Sequence, residues 1–273
     1  MEGAATRESL ARVGDRFEEI VAGCDQPTLD LLGSELSAVA GLLDNEAMLR
    51  KHLSEASSTD EAKQGLVDQL FSSKVSEPTL ELLRAAVGER WSRVRDLVDA
   101  IERFARLAVL HSAERAGVAA EVEDELFRFG RVLAGEGRLT TLLSDEQADT
   151  DARVRLLDGL IGQKVRPQTE ALLAQAVRVP RGRMLDLTVE GLAELAAARR
   201  QEIVAHVITA APLTEAQRGR LSQVLASIYG RAVSLQVEVD EHVLGGLVVR
   251  VGDEVIDGSI ASKLARAKQD LPH

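Results

Sequence analysis

The sequence predicts a mainly α-helical protein in which two tandem helical bundles precede a small α+β domain. Three observations support this fold class. Residues 35–97 align without a gap onto residues 125–187, apolar residues in both segments recur at helical spacing, and after Arg200 the pattern changes to the alternation typical of strands. We therefore expect three domains, at residues 1–104, 105–202 and 203–273.

The aligned segments carry 21 identities in 63 positions at a constant offset of 90. Pairing by chance would give about a tenth. The identities include Lys, Asp, Ser and Thr as well as Leu, so they indicate a duplication, and the last three are Arg93/Arg183, Asp96/Asp186 and Leu97/Leu187. A solenoid unit has about 20–50 residues, so each copy is predicted to be a small domain.

Each copy is predicted to contain about five or six short helices separated by equivalent breaks. The breaks pair residues 23–27 with 113–117, 57–60 with 147–150, and 75–78 with 165–167. Ser, Thr and Asp in the second pair can cap a helix N-terminus. Apolar residues between about 92 and 114 follow helical spacing. This helix is expected to close the first bundle and open the second.

The C-terminal segment has a different pattern. Thr214 can cap a helix over 215–229, and residues 233–239 alternate as a half-buried strand does. Residues 247–251 and 255–256 are predicted to form two strands joined by a tight turn at Gly252-Asp253. A final amphipathic helix is expected to turn Ile260, Leu264 and Ala267 inward, with Asp257 or Ser259 as its N-cap.

Composition limits the function classes. Hydrophobic residues make up 45% and charged residues 28%, which is typical of a globular protein. The net charge is −11 and aromatic residues are only 3%, so we expect no nucleic-acid partner, because such binding needs basic surface and stacking rings. Cys24 is the single cysteine, which fits a reducing compartment. We find neither a membrane-spanning run nor a signal-peptide pattern, so an intracellular protein is expected.

Several polar residues are predicted to be structural. Gly246, next to Gly245, is expected to adopt positive φ at the entry to a strand. The five histidines show no metal-ligand spacing, so no metal or cofactor is expected; they are His52, His111, His206, His242 and His273. The basic turn formed by Arg178, Arg181 and Arg183 around Pro180 and Gly182 is interpreted as a solvated turn, although it could hold an anion or an acidic partner.

The C-terminal segment also carries a motif that resembles a known family. The motif runs through Val237-Glu238-Val239-Asp240, Leu244-Gly245-Gly246-Leu247, Gly252-Asp253, Ile256-Asp257-Gly258-Ser259-Ile260 and Lys263-Leu264. This order is similar to the signature of the F-type ATP synthase delta subunit family, which includes the mitochondrial oligomycin-sensitivity-conferring protein. The resemblance covers about residues 105–273. Two features depart from the family: the first helical copy, and Phe104-Ala105 where the family often has Tyr-Ala.

The resemblance implies a non-catalytic stator component of a bacterial ATP synthase. In the family, the N-terminal bundle holds the N-terminal helices of the alpha subunits, and the C-terminal part binds the ends of the peripheral-stalk b subunits. The protein would then lie at the cytoplasmic face of the cell membrane, held there only through the complex. The signature residues implied to be structural or partner-binding are Asp240, Leu244, Gly245, Gly246, Gly252, Asp257, Gly258, Ser259, Lys263 and Leu264.

Two alternatives come from other function classes. One is a cytosolic helical adaptor unrelated to the synthase, which composition and periodicity alone would equally permit. The other is an enzyme with an active site between the bundles and the α+β domain. The C-terminal motif opposes the first alternative, and the lack of any nucleophile, base or metal constellation in the sequence opposes the second.

Overall fold

The computed structural model describes residues 3–55, 58–201, 203–229, 233–240, 246–251 and 254–257. The chain divides into two compact units, Met1–Ala197 and Ala198–His273. The described residues form twelve helices and four strands. This confirms the predicted mainly α-helical class with a small α+β part. The further division of the helical unit at residues 104/105 falls inside one helix and stays a prediction.

The helical unit repeats the same series of helices. The first copy consists of α1 (Ala4–Ala22), α2 (Gln26–Asn45), α3 (Ala47–Ser54), α4 (Asp60–Phe71), α5 (Glu77–Gly88) and α6 (Val94–Arg115). The second adds α7 (Ala119–Gly135), α8 (Gly137–Ser144), α9 (Thr150–Ile161), α10 (Pro167–Arg178) and α11 (Leu185–Gln201). Helices α3, α4 and α5 begin and end 90 residues before α8, α9 and α10, so the duplication is structural as well as sequential.

Equivalent polar residues begin equivalent helices. Thr59 accepts a hydrogen bond from the amide of Ala62 at 3.3 Å, and Asp149 accepts one from the amide of Ala152 at 2.8 Å. These side chains satisfy first-turn N–H groups that have no partner within the helix. The capping predicted for the second pair of breaks is therefore confirmed in both copies.

Helix α6 belongs to both copies, as the sequence predicts. Its first half, including Leu97, Ile101 and Phe104, packs in the apolar core of the first copy. Its last turns, including Val109 and Leu110, pack in the core of the second. An amphipathic helix normally buries one face. Because α6 serves two cores, apolar residues are buried in its first turns and in its last turns.

The last part of the ungapped alignment is wrong. The turn between α10 and α11 has six residues, one more than the turn between α5 and α6. Leu187 is 62% exposed although its aligned partner Leu97 is fully buried. Val189 is instead buried like Val98, so the offset is 91 from α11 onward. One added residue rotates a helical position by about 100°, so the identities Arg93/Arg183, Asp96/Asp186 and Leu97/Leu187 are not structurally equivalent.

The C-terminal unit contains a four-stranded mixed sheet. Its elements are β1 (Ile203–Thr209), α12 (Glu215–Tyr229), β2 (Val233–Val239), β3 (Leu247–Val251) and β4 (Glu254–Asp257), with strand order β2-β1-β3-β4. β1 is parallel to β2 and antiparallel to β3, and β3 is antiparallel to β4. The α12 connection supplies the crossover that parallel strands need. The predicted helix and strands are confirmed; the expected final helix lies outside the described residues.

Two contacts fix α12 in this unit. The hydroxyl of Thr214 accepts a hydrogen bond from the amide of Gln217 at 3.3 Å, which confirms the predicted N-cap. Leu225 is buried in the same apolar cluster as Ala205, Val207 and Val249 of the sheet. The alternation of β1 and β3 therefore places one face of the sheet against the helix.

Candidate partner-binding regions

The described signature residues lie at one end of the sheet. Asp240 follows β2, and its amide donates a hydrogen bond to the carbonyl oxygen of Thr209 at 2.9 Å. Thr209, the last residue of β1, pairs with Leu247, which follows Gly246. Asp257 ends β4 opposite Val248. The strand directions thus bring Asp240, Gly246 and Asp257 to the same end of the sheet, where β1 ends, although they are up to 17 residues apart in sequence.

Gly246 has the backbone conformation that the sequence predicts. Its φ is +83°, a region that L side chains rarely adopt, and it leads directly into β3. The other signature residues lie outside the described part of the chain; they are Leu244, Gly245, Gly252, Gly258, Ser259, Lys263 and Leu264. The prediction that Asp257 or Ser259 caps a final helix also falls outside the described residues, because that helix would begin after Asp257.

We expect Gly246→Val to destabilise the C-terminal unit by about 1–3 kcal/mol, because a β-branched residue would be forced into a left-handed conformation. Amide hydrogen exchange of β1 and β3 measures this directly. Gly219→Ala is the matched control, since a Cβ at Gly219 in α12 meets nothing within 4 Å. Equal exchange in the two variants would contradict the role assigned to Gly246, and exchange in α4 reports whether the helical unit is unaffected.

The histidines of the described residues do not form a metal site. Within the described ranges no group of three or more His, Cys, Asp or Glu side chains could hold a metal ion. His111 is buried against the ring of Phe17, with Nε2 at 3.3 Å from Oε1 of Glu18. His52 and His206 are exposed, and His242 and His273 lie outside the described residues. His111 therefore has a structural environment between α1 and α6.

Each helical copy has one glutamate, at equivalent positions, that connects two of its helices by hydrogen bonds. Glu35 on α2 accepts hydrogen bonds from the amide of Ser76 at 3.0 Å and the hydroxyl of Thr79 at 2.5 Å. Glu125 on α7 accepts them from the amide of Arg166 at 2.8 Å and the hydroxyl of Thr169 at 2.6 Å. Each carboxylate thus neutralises the N-terminal end of α5 or α10. Glu35 and Glu125 are identical at the offset of 90, but their partners lie about 40 residues further along the chain, so the sequence alone does not reveal this role.

The basic turn between α10 and α11 is not solvated throughout, so that interpretation is wrong for Arg181. The Arg181 side chain is only 4% exposed, with Nη1 at 2.6 Å from Oδ1 of Asp99 and 2.9 Å from Oε2 of Glu102. Burial lowers its pKa, but the charges of Asp99, Glu102 and Asp44 more than offset this, so the pKa lies above its usual value. Arg181 is therefore a buried, permanently charged ion-pair residue.

The surroundings of Arg181 differ in exposure. Arg183 remains half exposed, with Nη2 at 3.9 Å from Oδ1 of Asp99. Burial lowers the pKa of the nearby Arg106, and the charges of Arg183 and Arg181 lower it further, against the opposing effect of Glu102. A pocket of about 290 Å³ lies beside this cluster, lined by Arg93, Val94, Arg95, Asp99, Arg181 and Arg183.

The helical unit also exposes large apolar side chains. The most exposed aromatic side chain in the described residues is Phe127 on α7, at 58%. Leu156 and Leu160 lie one turn apart on the outer side of α9, and both are more than a third exposed. Because aromatic side chains are enriched at protein–protein interfaces, Phe127 is the candidate for a partner contact among these residues. None of the described helices is long and apolar enough to cross a membrane.

Comparison with known families decides the relationship of the chain. The family model described as "ATP synthase delta (OSCP) subunit" matches residues 102–271, well over half of the sequence. The chain belongs to this family. The match begins inside α6, so it covers the second copy and the C-terminal unit, as the resemblance over about residues 105–273 predicts. The first copy lies outside the matched range of the delta family.

Two relatives of the delta family extend the match across the first copy. The "ATP synthase subunit b-delta" of Mycobacterium sp. (strain KMS) is 50% identical over 269 residues, which are 98% of this chain and 61% of that protein. The "ATP synthase subunit delta" of Streptomyces avermitilis is 44% identical over 269 residues, which are 98% of this chain and 97% of that protein. The chain thus spans about three-fifths of the first relative and almost all of the second, so the first copy has a counterpart in both.

A solved structure gives a weaker likeness. A chain of the mitochondrial ATP synthase hexamer of Toxoplasma gondii, solved by cryo-EM, is 18% identical. The match covers 62% of this chain and 96% of that chain, with a TM-score of 0.29. That score is too low to establish a shared arrangement of the elements.

Proposed function

We propose that the protein is a delta-type stator subunit of an F-type ATP synthase, which links the catalytic head to the peripheral stalk. The observation that carries the proposal is the match to a Streptomyces protein named ATP synthase subunit delta, at 44% identity over nearly the full length of both chains. The family match over residues 102–271 supports it independently. The protein makes and breaks no bond in this role, and it needs no cofactor.

The proposed work of the subunit is mechanical. A rotating shaft exerts torque on the catalytic head, and a stator that joins head to stalk keeps the head from turning with it. Such a joint needs a large interface with a desolvated centre, so that it dissociates slowly. The stacked helices of residues 4–201 and the mixed sheet of the C-terminal unit offer two different surfaces, one for each side of the joint.

Each surface is assigned one partner. The helical unit contacts the N-termini of the alpha subunits, and the C-terminal unit, where the signature residues gather at one end of the sheet, contacts the C-termini of the b subunits. The name of the Mycobacterium relative joins b and delta, which supports the partnership with b. The protein would be peripheral at the cytoplasmic face of the membrane, held by the complex. Family membership opposes the alternative of an adaptor unrelated to the synthase.

The test uses the tagged full-length chain and a variant that ends at Arg200. We expect the full-length chain in purified, membrane-derived synthase, together with alpha and b. The shortened variant retains the compact helical unit, so it should still bind an alpha N-terminal peptide in isothermal titration calorimetry. It should lose affinity for the b C-terminal segment by about 100-fold or more, because removing a whole interface removes its central contacts.

The outcomes separate the role from the assignment of partners. Absence of the full-length chain from purified synthase would overturn the stator role. Binding of the b segment by the shortened variant at full-length affinity would overturn the placement of b on the C-terminal unit. Saturable turnover of ATP by the isolated chain would favour the enzyme alternative instead.

A further inference from the structure

The two helical copies touch each other through α2 of the first and α10 of the second. The side-chain amide of Gln175 on α10 donates a hydrogen bond to the carbonyl oxygen of Gly33 on α2 at 3.2 Å. A Cβ at Gly41, also on α2, would lie 3.3 Å from a methyl group of Val179. Helix α2 therefore packs against the second copy at close range along its length.

The longer α10–α11 turn adds an ionic contact to this interface. Arg181 has φ of +57° and Gly182 has φ of +69°, so the turn reverses sharply at these two residues. The reversal places Arg181 Nε at 3.5 Å from Oδ1 of Asp44, near the C-terminal end of α2. Its Nη1 contacts Asp99 and Glu102 on α6 at the same time. Arg181 thus connects the turn between α10 and α11 to both α2 and α6.

The corresponding face of the first copy is different. There α1 and α5 are connected by ion pairs between Arg12 and Glu89 and between Arg16 and Glu81. At the offset of 90, Arg12 corresponds to Glu102 and Glu89 to Val179. The first copy therefore presents a charged outer face, which is typical of the terminal unit of a repeat array. At the corresponding positions, Glu102 instead pairs with Arg181 and Val179 lies against Gly41.

We propose that Arg181, with Asp44, Asp99 and Glu102, is a clasp that locks the two copies into one mechanical body. The clasp itself is inferred from contacts within this chain, and only its purpose, to resist torque, rests on the proposed function. The clasp depends on the backbone of the six-residue α10–α11 turn, because Arg181 and Gly182 both adopt positive φ there, whereas no residue of the five-residue turn between α5 and α6 does. The Arg181 side chain is 4% exposed, whereas Asp44, Asp99 and Glu102 are 22%, 42% and 14% exposed, so the cation is the buried partner and its loss changes the charge inside the interface.

Hydrogen exchange of the isolated full-length chain tests the clasp. In Arg181→Met, amide exchange in α2 and in residues 179–184 should rise by about ten-fold or more, because Asp44 on α2 loses the cation that it faces, while Glu102 and Asp99 retain Arg106 and Arg183. Exchange in α12, which belongs to the other compact unit, is the internal reference. The matched control is Arg183→Met, two residues away and half exposed, where α2 should exchange as in the unaltered chain.

A second variant covers the case in which Arg181→Met does not fold. Arg181→Lys keeps the charge but loses the fork that reaches two helices at once, so it should give an intermediate rise in α2. Equal exchange of α2 in the Arg181 and Arg183 variants would overturn the clasp. Because the measurement needs no partner subunit, a failed clasp and a failed stator role are distinguishable.

Discussion

Phe17→Ala is expected to lower the free energy of unfolding by about 3–5 kcal/mol, the usual range for removing a buried phenylalanine. Phe17 on α1 is 1% exposed. Its ring centroid lies 5.1 Å from that of Phe104 and 5.5 Å from that of His111, both on α6. The protein would lose the free energy gained by removing the ring from water, and a cavity would remain between α1 and α6. Urea unfolding followed by circular dichroism measures it.

The matched control is Phe127→Ala, which removes the same side chain from the surface of α7. Because Phe127 is 58% exposed, its removal should change the free energy of unfolding by no more than about 0.5 kcal/mol. A cost at Phe127 as large as that at Phe17 would contradict the placement of these rings. The pair also separates stability from binding, since an alpha or b peptide that contacts the exposed ring would lose affinity in the Phe127 variant alone.

Local features of the structure could be predicted from the sequence because their causes are local. Thr59 and Asp149 cap helices with amides three residues away, so a short window of sequence contains both partners. The alternation of residues 233–239 and the positive φ of Gly246 depend likewise on neighbouring residues. The resemblance to the delta family added the functional expectation, which periodicity alone does not supply.

The sequence-based predictions were wrong where the burial of a residue depends on residues that are distant in sequence. The turn around Arg181 has the composition of a solvated loop, and its buried state depends on Asp44, Asp99 and Glu102, which are about 80 or more residues away in sequence. Leu187 is the same residue type as its aligned partner Leu97, but the additional turn residue shifts the register of α11 by one residue, so Leu187 is exposed. Identity between repeats therefore predicts equivalent burial only where the intervening turns have equal length.

The inserted turn and the charged outer face connect the duplication to the proposed role. A stator arm that carries torque must not bend between its parts, and domains joined only by a linker move relative to each other by default. Here α6 is continuous through both copies, α2 packs on α10, and Arg181 ties the end of the second copy to the first. The duplication thus lengthens the helical unit without adding a hinge.

Gly33→Ala is expected to destabilise the protein by about 1–3 kcal/mol, although alanine is the better helix former, because the site has no room for a methyl group. A Cβ at Gly33 would lie 2.7 Å from Cγ2 of Val109 and 3.1 Å from the carbonyl oxygen of Ala105. The valine methyl could rotate away, but the backbone oxygen of α6 cannot. Helices α2 and α6 would therefore have to separate to admit the methyl group.

Gly65→Ala makes the same substitution in an open position and should have the opposite sign. A Cβ at Gly65 on α4 meets nothing within 4 Å. Replacing this helical glycine should therefore stabilise the protein by about 0.5–1 kcal/mol, through helix propensity and a less flexible unfolded chain. Urea unfolding of the two variants compares them directly. If both raised the stability, α2 and α6 would not be in the close contact that the distances at Gly33 describe.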